Sequence, residues 1–160
     1  MSLNSSGLMP TAASTAASGV WLRRVLLAVA AFETLVGLID LAVFVPDIDV
    51  NARLFIHPVF AIAALVLAVR RYLRAAIVVL AAYILAALAI GWSPDLLGLS
   101  LLAQQVIFGP LAVTAIVLAI LDKLLWLGAV FVALPSANLL LGMIPLILFT
   151  IGVMIYGAAP

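Results

Sequence analysis

The chain contains no cysteine and a single histidine, His57, among its 160 residues. The missing cysteine excludes disulfides, thiol catalysis and thiolate metal sites, and one histidine cannot supply two axial ligands to a haem. No HxxH or ExxH spacing is present, so no metal site is predicted. A nucleophile–base pair, a phosphate loop and a cofactor fingerprint are also missing. The sequence therefore favours a non-enzymatic protein without a cofactor, although a lone intramembrane acid acting on a bound quinone or lipid stays open.

Charge is equally scarce. Only 8% of the residues are charged, whereas soluble domains carry roughly 25%. Hydrophobic residues make up 69% of the chain, and the mean hydropathy is +1.46. The net charge is +1, and the basic residues lie at segment ends rather than in a stripe, so binding to nucleic acid is not predicted. We therefore expect an all-α membrane protein, a bundle of about five (four to five) transmembrane helices in the lipid bilayer.

The apolar segments divide the chain into a tail and one domain. Residues 1–19 are rich in Ser, Thr, Ala and Gly and are predicted to form a disordered tail. Residues 20–157 form a single transmembrane domain, with predicted spans at 20–45, 54–70, 73–92, 101–121 and 139–157. The segment 124–134 is too short to cross, and Pro135 follows it. We expect a short interfacial or re-entrant helix there, before the last span; one long kinked helix over 124–156 is the alternative.

The basic residues predict how the spans are oriented. If the spans alternate in direction, nearly all of the basic residues fall on one side of the membrane, which the positive-inside rule makes cytoplasmic. Arg53 is the exception. The N-terminus is then cytoplasmic, and the Ala-, Leu- and Val-rich helices without loop domains fit a bacterial inner (plasma) membrane. The basic residues on the predicted cytoplasmic side are Arg23, Arg24, Arg70, Arg71, Arg74 and Lys123.

Two acids, Glu33 and Asp40, interrupt the otherwise apolar first span. They are seven residues apart, and at about 100° per residue they share one helical face, two turns apart. Gly37 lies between them on that face and would let a neighbouring backbone approach closely. A carboxylate in mid-membrane costs about 2.5–3.5 kcal/mol, so both acids should face the bundle interior. They form either a proton or ion pathway or structural hydrogen bonds to partners such as Tyr83, Thr114, Gln104 or Asn138.

Two further polar pairs are candidate sites. Arg53 and His57 begin the second span on the same side as Asp40, and their spacing lets them share a face. They could gate a cavity or sense pH, because histidine titrates near neutrality; an interfacial salt bridge is the alternative. Gln104 begins the fourth span, and Asn138 follows a proline. Such positions bind small solutes in transporters; helix capping and interhelical hydrogen bonding are the alternative.

Two functions are compatible with this pattern. The first is a small proton- or cation-linked transporter or channel that uses the intramembrane carboxyls. It predicts a homo-oligomer, because five short spans enclose little cavity. The second is a non-catalytic accessory or assembly subunit of a larger membrane complex, in which Glu33 pairs with a partner chain.

Overall fold

The computed structural model describes residues 12–44, 53–91 and 100–157, and all five described elements are α-helices. This confirms the all-α prediction. Residues 12–19, predicted as part of a disordered tail, form the first turns of α1, where alanine favours a helix. Residues 1–11 lie outside the described ranges. The helices are α1 (Ala12–Phe44), α2 (Arg53–Val69), α3 (Leu73–Ala89), α4 (Leu101–Ile120) and α5 (Leu125–Tyr156).

Three segments are long and apolar enough to cross a membrane: Gly19–Ala42, Leu101–Ile120 and Leu125–Ile155. The helices α2 and α3 have 17 residues each. At 1.5 Å per residue each measures about 25 Å, a little less than the ~30 Å hydrocarbon core. Arginines at their ends can extend their reach to the headgroups. The pattern is compatible with a small multi-pass integral membrane protein.

Small side chains allow the helices to pack closely. Consecutive helices are neighbours, and α5 returns to contact α1 and α3. The interfaces are built on fully buried alanines, together with the larger Leu26, Ile77, Leu80 and Val132. In lipid the hydrophobic effect does not drive helices together. Helices therefore associate through close van der Waals packing of this kind. The fully buried alanines are Ala30, Ala61, Ala64, Ala68, Ala76, Ala81, Ala112, Ala115 and Ala129.

Polar contacts tie the connections together at one end of the bundle. The Arg23 guanidinium donates to the carbonyl oxygen of Val69 over 3.5 Å. Arg74 forms an ion pair with Asp122 in the connection between α4 and α5. The beginning of α3, the end of α2 and the α4–α5 connection therefore lie at the same end as Arg23, which we call the basic end.

The last helix differs from the expected arrangement. The structure has one unbroken helix, α5, where the sequence predicts a short helix over 124–134 and a separate span over 139–157. Pro135 and Pro145 each remove a single backbone hydrogen bond. In apolar surroundings an opened backbone has no water to bond to, so the helix continues through both prolines. The alternative of one long helix is correct; its 32 residues measure about 48 Å, so it must tilt or bend in a bilayer.

Candidate functional site

A buried carboxyl joins three helices in the middle of the bundle. Glu33 on α1 is only 5% exposed. Its Oε2 lies 2.8 Å from Nε2 of His57 on α2. Ser136 on α5 donates a hydrogen bond to the other oxygen, Oε1. Both carboxyl oxygens are thus paired, as burial of an ionisable group requires.

His57 also contacts the second acid of α1. Its Nδ1 lies 3.6 Å from Oδ2 of Asp40. The Asp40 side chain is 27% exposed, whereas that of Glu33 is 7% exposed. The imidazole therefore stands between a carboxyl near the surface and a carboxyl in the interior. We call Asp40, His57 and Glu33 the acid–histidine chain.

A glycine and a tyrosine position the imidazole. A Cβ at Gly37 would lie 3.0 Å from the backbone nitrogen of Pro58 and 3.2 Å from Cγ of His57. A side chain at this position would crowd the approach of α1 and α2, which confirms the expectation for Gly37. On its other face, His57 stacks on Tyr83 of α3, with ring centroids 4.7 Å apart and planes inclined by 11°. The ring is 2% exposed.

Beyond Glu33 lies a cavity of about 60 Å³ between α1, α3, α4 and α5, here named the central cavity. Most of its wall is apolar and includes Ile84, Leu88 and Phe108. Its polar lining consists of Glu33, Tyr83, Gln104, Ser136 and Asn138.

The side of Glu33 that faces the basic end is closed by apolar packing. Leu26 and Ala30 of α1, Ile77 of α3, Ala115 of α4 and Val132 of α5 are all buried there. Within the described ranges, the polar groups therefore connect the cavity with the Asp40 end of the bundle and stop at this apolar layer.

The structure relates the sequence candidates to one another. Glu33 and Asp40 both contact His57. Gln104 and Asn138 line the same cavity as Glu33. Arg53 begins α2, but its side chain lies outside the described part of the structure, so its pairing with His57 stays a prediction.

Sequence reasoning missed one member of the site, Ser136. It contributes the second hydrogen bond to Glu33 from a position 103 residues away. Its one sequence signal is its place beside Pro135, among polar residues of an apolar helix. The stacking of Tyr83 on His57 was likewise not predicted, although Tyr83 was among the expected partners of the acids.

The arrangement suits proton transfer better than covalent chemistry. An imidazole can accept a proton on one ring nitrogen and release one from the other. Hydrolase triads need a serine hydrogen-bonded to the histidine, whereas the Ser136 hydroxyl is bonded to Glu33. Among the described residues, no three His, Asp or Glu side chains converge in the way a metal site requires.

Comparison with known proteins assigns the chain to no family. No family model matches the sequence, and no curated protein or solved structure is significantly similar to it. The chemistry of the site itself is therefore the basis for inferring a function.

Proposed function

We propose that this protein is a small proton-linked transporter in which the acid–histidine chain carries protons between one membrane surface and the central cavity. The observation that carries this proposal is the place of His57. Its Nε2 lies 2.8 Å from the buried carboxyl of Glu33, and its Nδ1 lies 3.6 Å from the partly exposed carboxyl of Asp40. A histidine that served only as a structural hydrogen-bond donor to Glu33 would not need the second contact, with Asp40.

The transfer can be written as two proton steps. Protonated Asp40 gives its proton to Nδ1 of His57, and Nε2 of the resulting imidazolium gives its own proton to Oε2 of Glu33. The outcome is one proton moved from Asp40 to Glu33, with the imidazole left neutral in its other tautomer. The second step uses an existing contact of 2.8 Å. The first, across 3.6 Å, requires a slight approach or a bridging water.

The apolar layer favours a transporter over an open channel. Protons that reach Glu33 meet Leu26, Ala30 and Ile77 on the way to the basic end, all fully buried. A continuous polar path across the membrane would let protons leak. An apolar layer that closes one side of Glu33 allows proton movement to be coupled to the movement of a solute. By the positive-inside rule the basic end faces the cytoplasm of a bacterial inner membrane. Asp40 then faces outwards, and the N-terminus is cytoplasmic.

A second function is favoured by the outer half of α5. Only 12% of the 18-residue apolar window within the span Leu125–Ile155 is buried, and Leu148, Phe149 and Met154 are strongly exposed. Such a helix could pack against another chain, as in a homo-oligomer or an accessory subunit of a larger complex. Purification from the native membrane in a mild detergent, followed by weighing of the intact particle, separates these cases. A stoichiometric partner of a different sequence would favour the accessory subunit.

The proton relay is tested by charge movement after a pH jump. Proteoliposomes on a solid-supported membrane are exposed to a rapid fall in external pH, and the transient current is recorded. Protons moving from Asp40 to Glu33 cross part of the membrane dielectric, so the intact chain should give a transient that protein-free liposomes lack. The variant Glu33→Gln keeps a hydrogen-bond acceptor but cannot bind the proton. His57→Phe keeps a ring for Tyr83 to stack on. Both should lose most of the transient.

Thr34→Val and Asp122→Asn serve as matched controls. Thr34 adjoins Glu33 and donates to the carbonyl of Ala30, while Asp122 is a carboxyl at the basic end. Both should retain the wild-type transient. Transients of wild-type size in folded Glu33→Gln and His57→Phe would refute the relay. Circular dichroism and gel filtration establish that each variant is folded.

A further inference from the structure

The central cavity presents polar groups that proton transfer does not require. Asn138 and Gln104 line it together with Glu33. Neither the Asn138 amide nor the Tyr83 hydroxyl hydrogen-bonds to another residue in the part of the chain that the structure describes. Both residues line the cavity, so a molecule inside it can reach their polar atoms. These groups are therefore suited to a ligand that hydrogen-bonds inside the cavity.

The charged group in the cavity lining determines whether a cation or an anion can bind there. Glu33 is the carboxyl in its lining, and the described lining contains no Lys, Arg or His. Each Glu33 oxygen has one hydrogen-bond partner, on His57 or Ser136. A carboxylate can accept about four hydrogen bonds, so Glu33 can accept more from a ligand. The Glu33 carboxylate would repel an anion, whereas it would attract a cation with N–H donors.

Size and shape narrow the class further. A cavity of about 150 Å³ holds benzene, and this one has about 60 Å³. The enclosed part of the site therefore accommodates a group of only a few heavy atoms. The wall formed by Ile84, Leu88 and Phe108 suits a short alkyl group. A primary ammonium carries three N–H donors, which matches the acceptors on Glu33, Asn138 and Tyr83.

We infer that the central cavity binds a small primary alkylammonium ion, of the size of methylammonium or ethylammonium, in exchange for a proton. This inference rests on the proposed proton relay, because both ligands use Glu33. A proton delivered by His57 neutralises Glu33 and releases the cation. A cation bound to the carboxylate displaces that proton, so up to one proton leaves for each cation that binds.

The test uses the full chain in detergent micelles with ethylammonium as the probe. Two readouts are followed: the midpoint of thermal unfolding, and proton release to an indicator dye in weakly buffered solution. Ethylammonium should raise the midpoint and release protons, while propionate, of similar size and opposite charge, and neutral acetamide should do neither. Asn138→Leu should weaken apparent binding about tenfold, because a hydrogen-bond acceptor for the cation is lost. Tyr83→Phe, which keeps the ring on His57, should weaken it severalfold.

Gln105→Leu is the matched control. Gln105 neighbours Gln104 on α4 but lies outside the cavity lining, where its amide donates to the carbonyl of Leu88 over 3.0 Å. This variant should bind ethylammonium as the wild type does. Equal responses to ethylammonium and propionate, or unchanged binding by both Asn138→Leu and Tyr83→Phe, would overturn the inference.

The two proposals fail in distinguishable ways. A chain that gives the pH-jump transient but does not respond to ethylammonium retains the relay and loses the cation site. A chain without the transient that binds ethylammonium and releases no proton refutes the relay and the exchange together. Binding accompanied by proton release in a chain that gives the transient supports both.

Discussion

Substituting Gly37 by alanine tests whether helix contact controls the acid–histidine chain. The added Cβ would lie 3.0 Å from N and 3.1 Å from Cα of Pro58, and 3.2 Å from Cγ of His57. The first two are backbone atoms, so no rotamer change relieves the contact. Restoring an ordinary separation of about 3.4 Å requires α1 and α2 to part by roughly 0.4 Å. If the imidazole follows α2, its 2.8 Å contact with Glu33 lengthens to about 3.2 Å, the outer limit of a good N–H···O bond.

The size of the effect follows from two opposing changes. Alanine is better than glycine inside a helix by roughly 0.5–1 kcal/mol. Overpacking a close contact costs about 1–3 kcal/mol. We therefore expect Gly37→Ala to lower the free energy of unfolding, by up to about 2.5 kcal/mol, and to reduce the pH-jump transient. Unfolding by a denaturing detergent, followed by circular dichroism, measures the first, and the solid-supported membrane measures the second.

Gly19→Ala supplies the control, because Gly19 lies on the same helix and a Cβ there meets nothing within 4 Å. It should be as stable as the wild type or slightly more stable, with a full transient. Subtracting its effect from that of Gly37→Ala removes the helix-propensity term and leaves the packing cost. If Gly37→Ala matched Gly19→Ala in both stability and transient, close contact would not be what positions His57.

Two other predictions concern charges at different depths. The double variant Glu33→Leu/His57→Phe should be about as stable as the wild type or more stable, because replacing both members of a buried pair is often neutral or stabilising. It should nevertheless lose the pH-jump transient. A large loss of stability would show that the pair has a structural role. A double-mutant cycle of Arg74→Gln and Asp122→Asn should give a coupling of less than about 1 kcal/mol, because both side chains are roughly half exposed; a markedly larger value in detergent unfolding would contradict this.

The sequence specified the helices better than their contacts. Apolar segments bounded by polar connections were sufficient to predict an all-helical chain, because the bilayer demands internal backbone hydrogen bonding. The shared face of Glu33 and Asp40, with Gly37 between them, followed from helical periodicity alone. The expected break near Pro135 was wrong, because a proline signals the loss of one hydrogen bond and not whether surrounding helices or lipid compensate for it.

Contacts between distant helices had no comparable signal. Periodicity gives a residue's face on its own helix, but the rotation and depth of a neighbour depend on how all the interfaces pack. The bond from Ser136 to Glu33 spans 103 positions and depends on the tilt of α5. That Gln104 and Asn138 line the same cavity depends on the same packing. A single sequence carries neither.

The energies involved distinguish a functional acid from a structural one. A carboxylate in mid-membrane costs about 2.5–3.5 kcal/mol. Hydrogen bonds between helices in a bilayer return about 0.6 kcal/mol on average and at most about 1.7 kcal/mol. Glu33 receives two such bonds, from His57 and Ser136. Together they return about 1.2 kcal/mol, and even at the maximum they only offset the penalty. Stability alone therefore gives no reason to keep an acid at this position, whereas binding and releasing a proton there does.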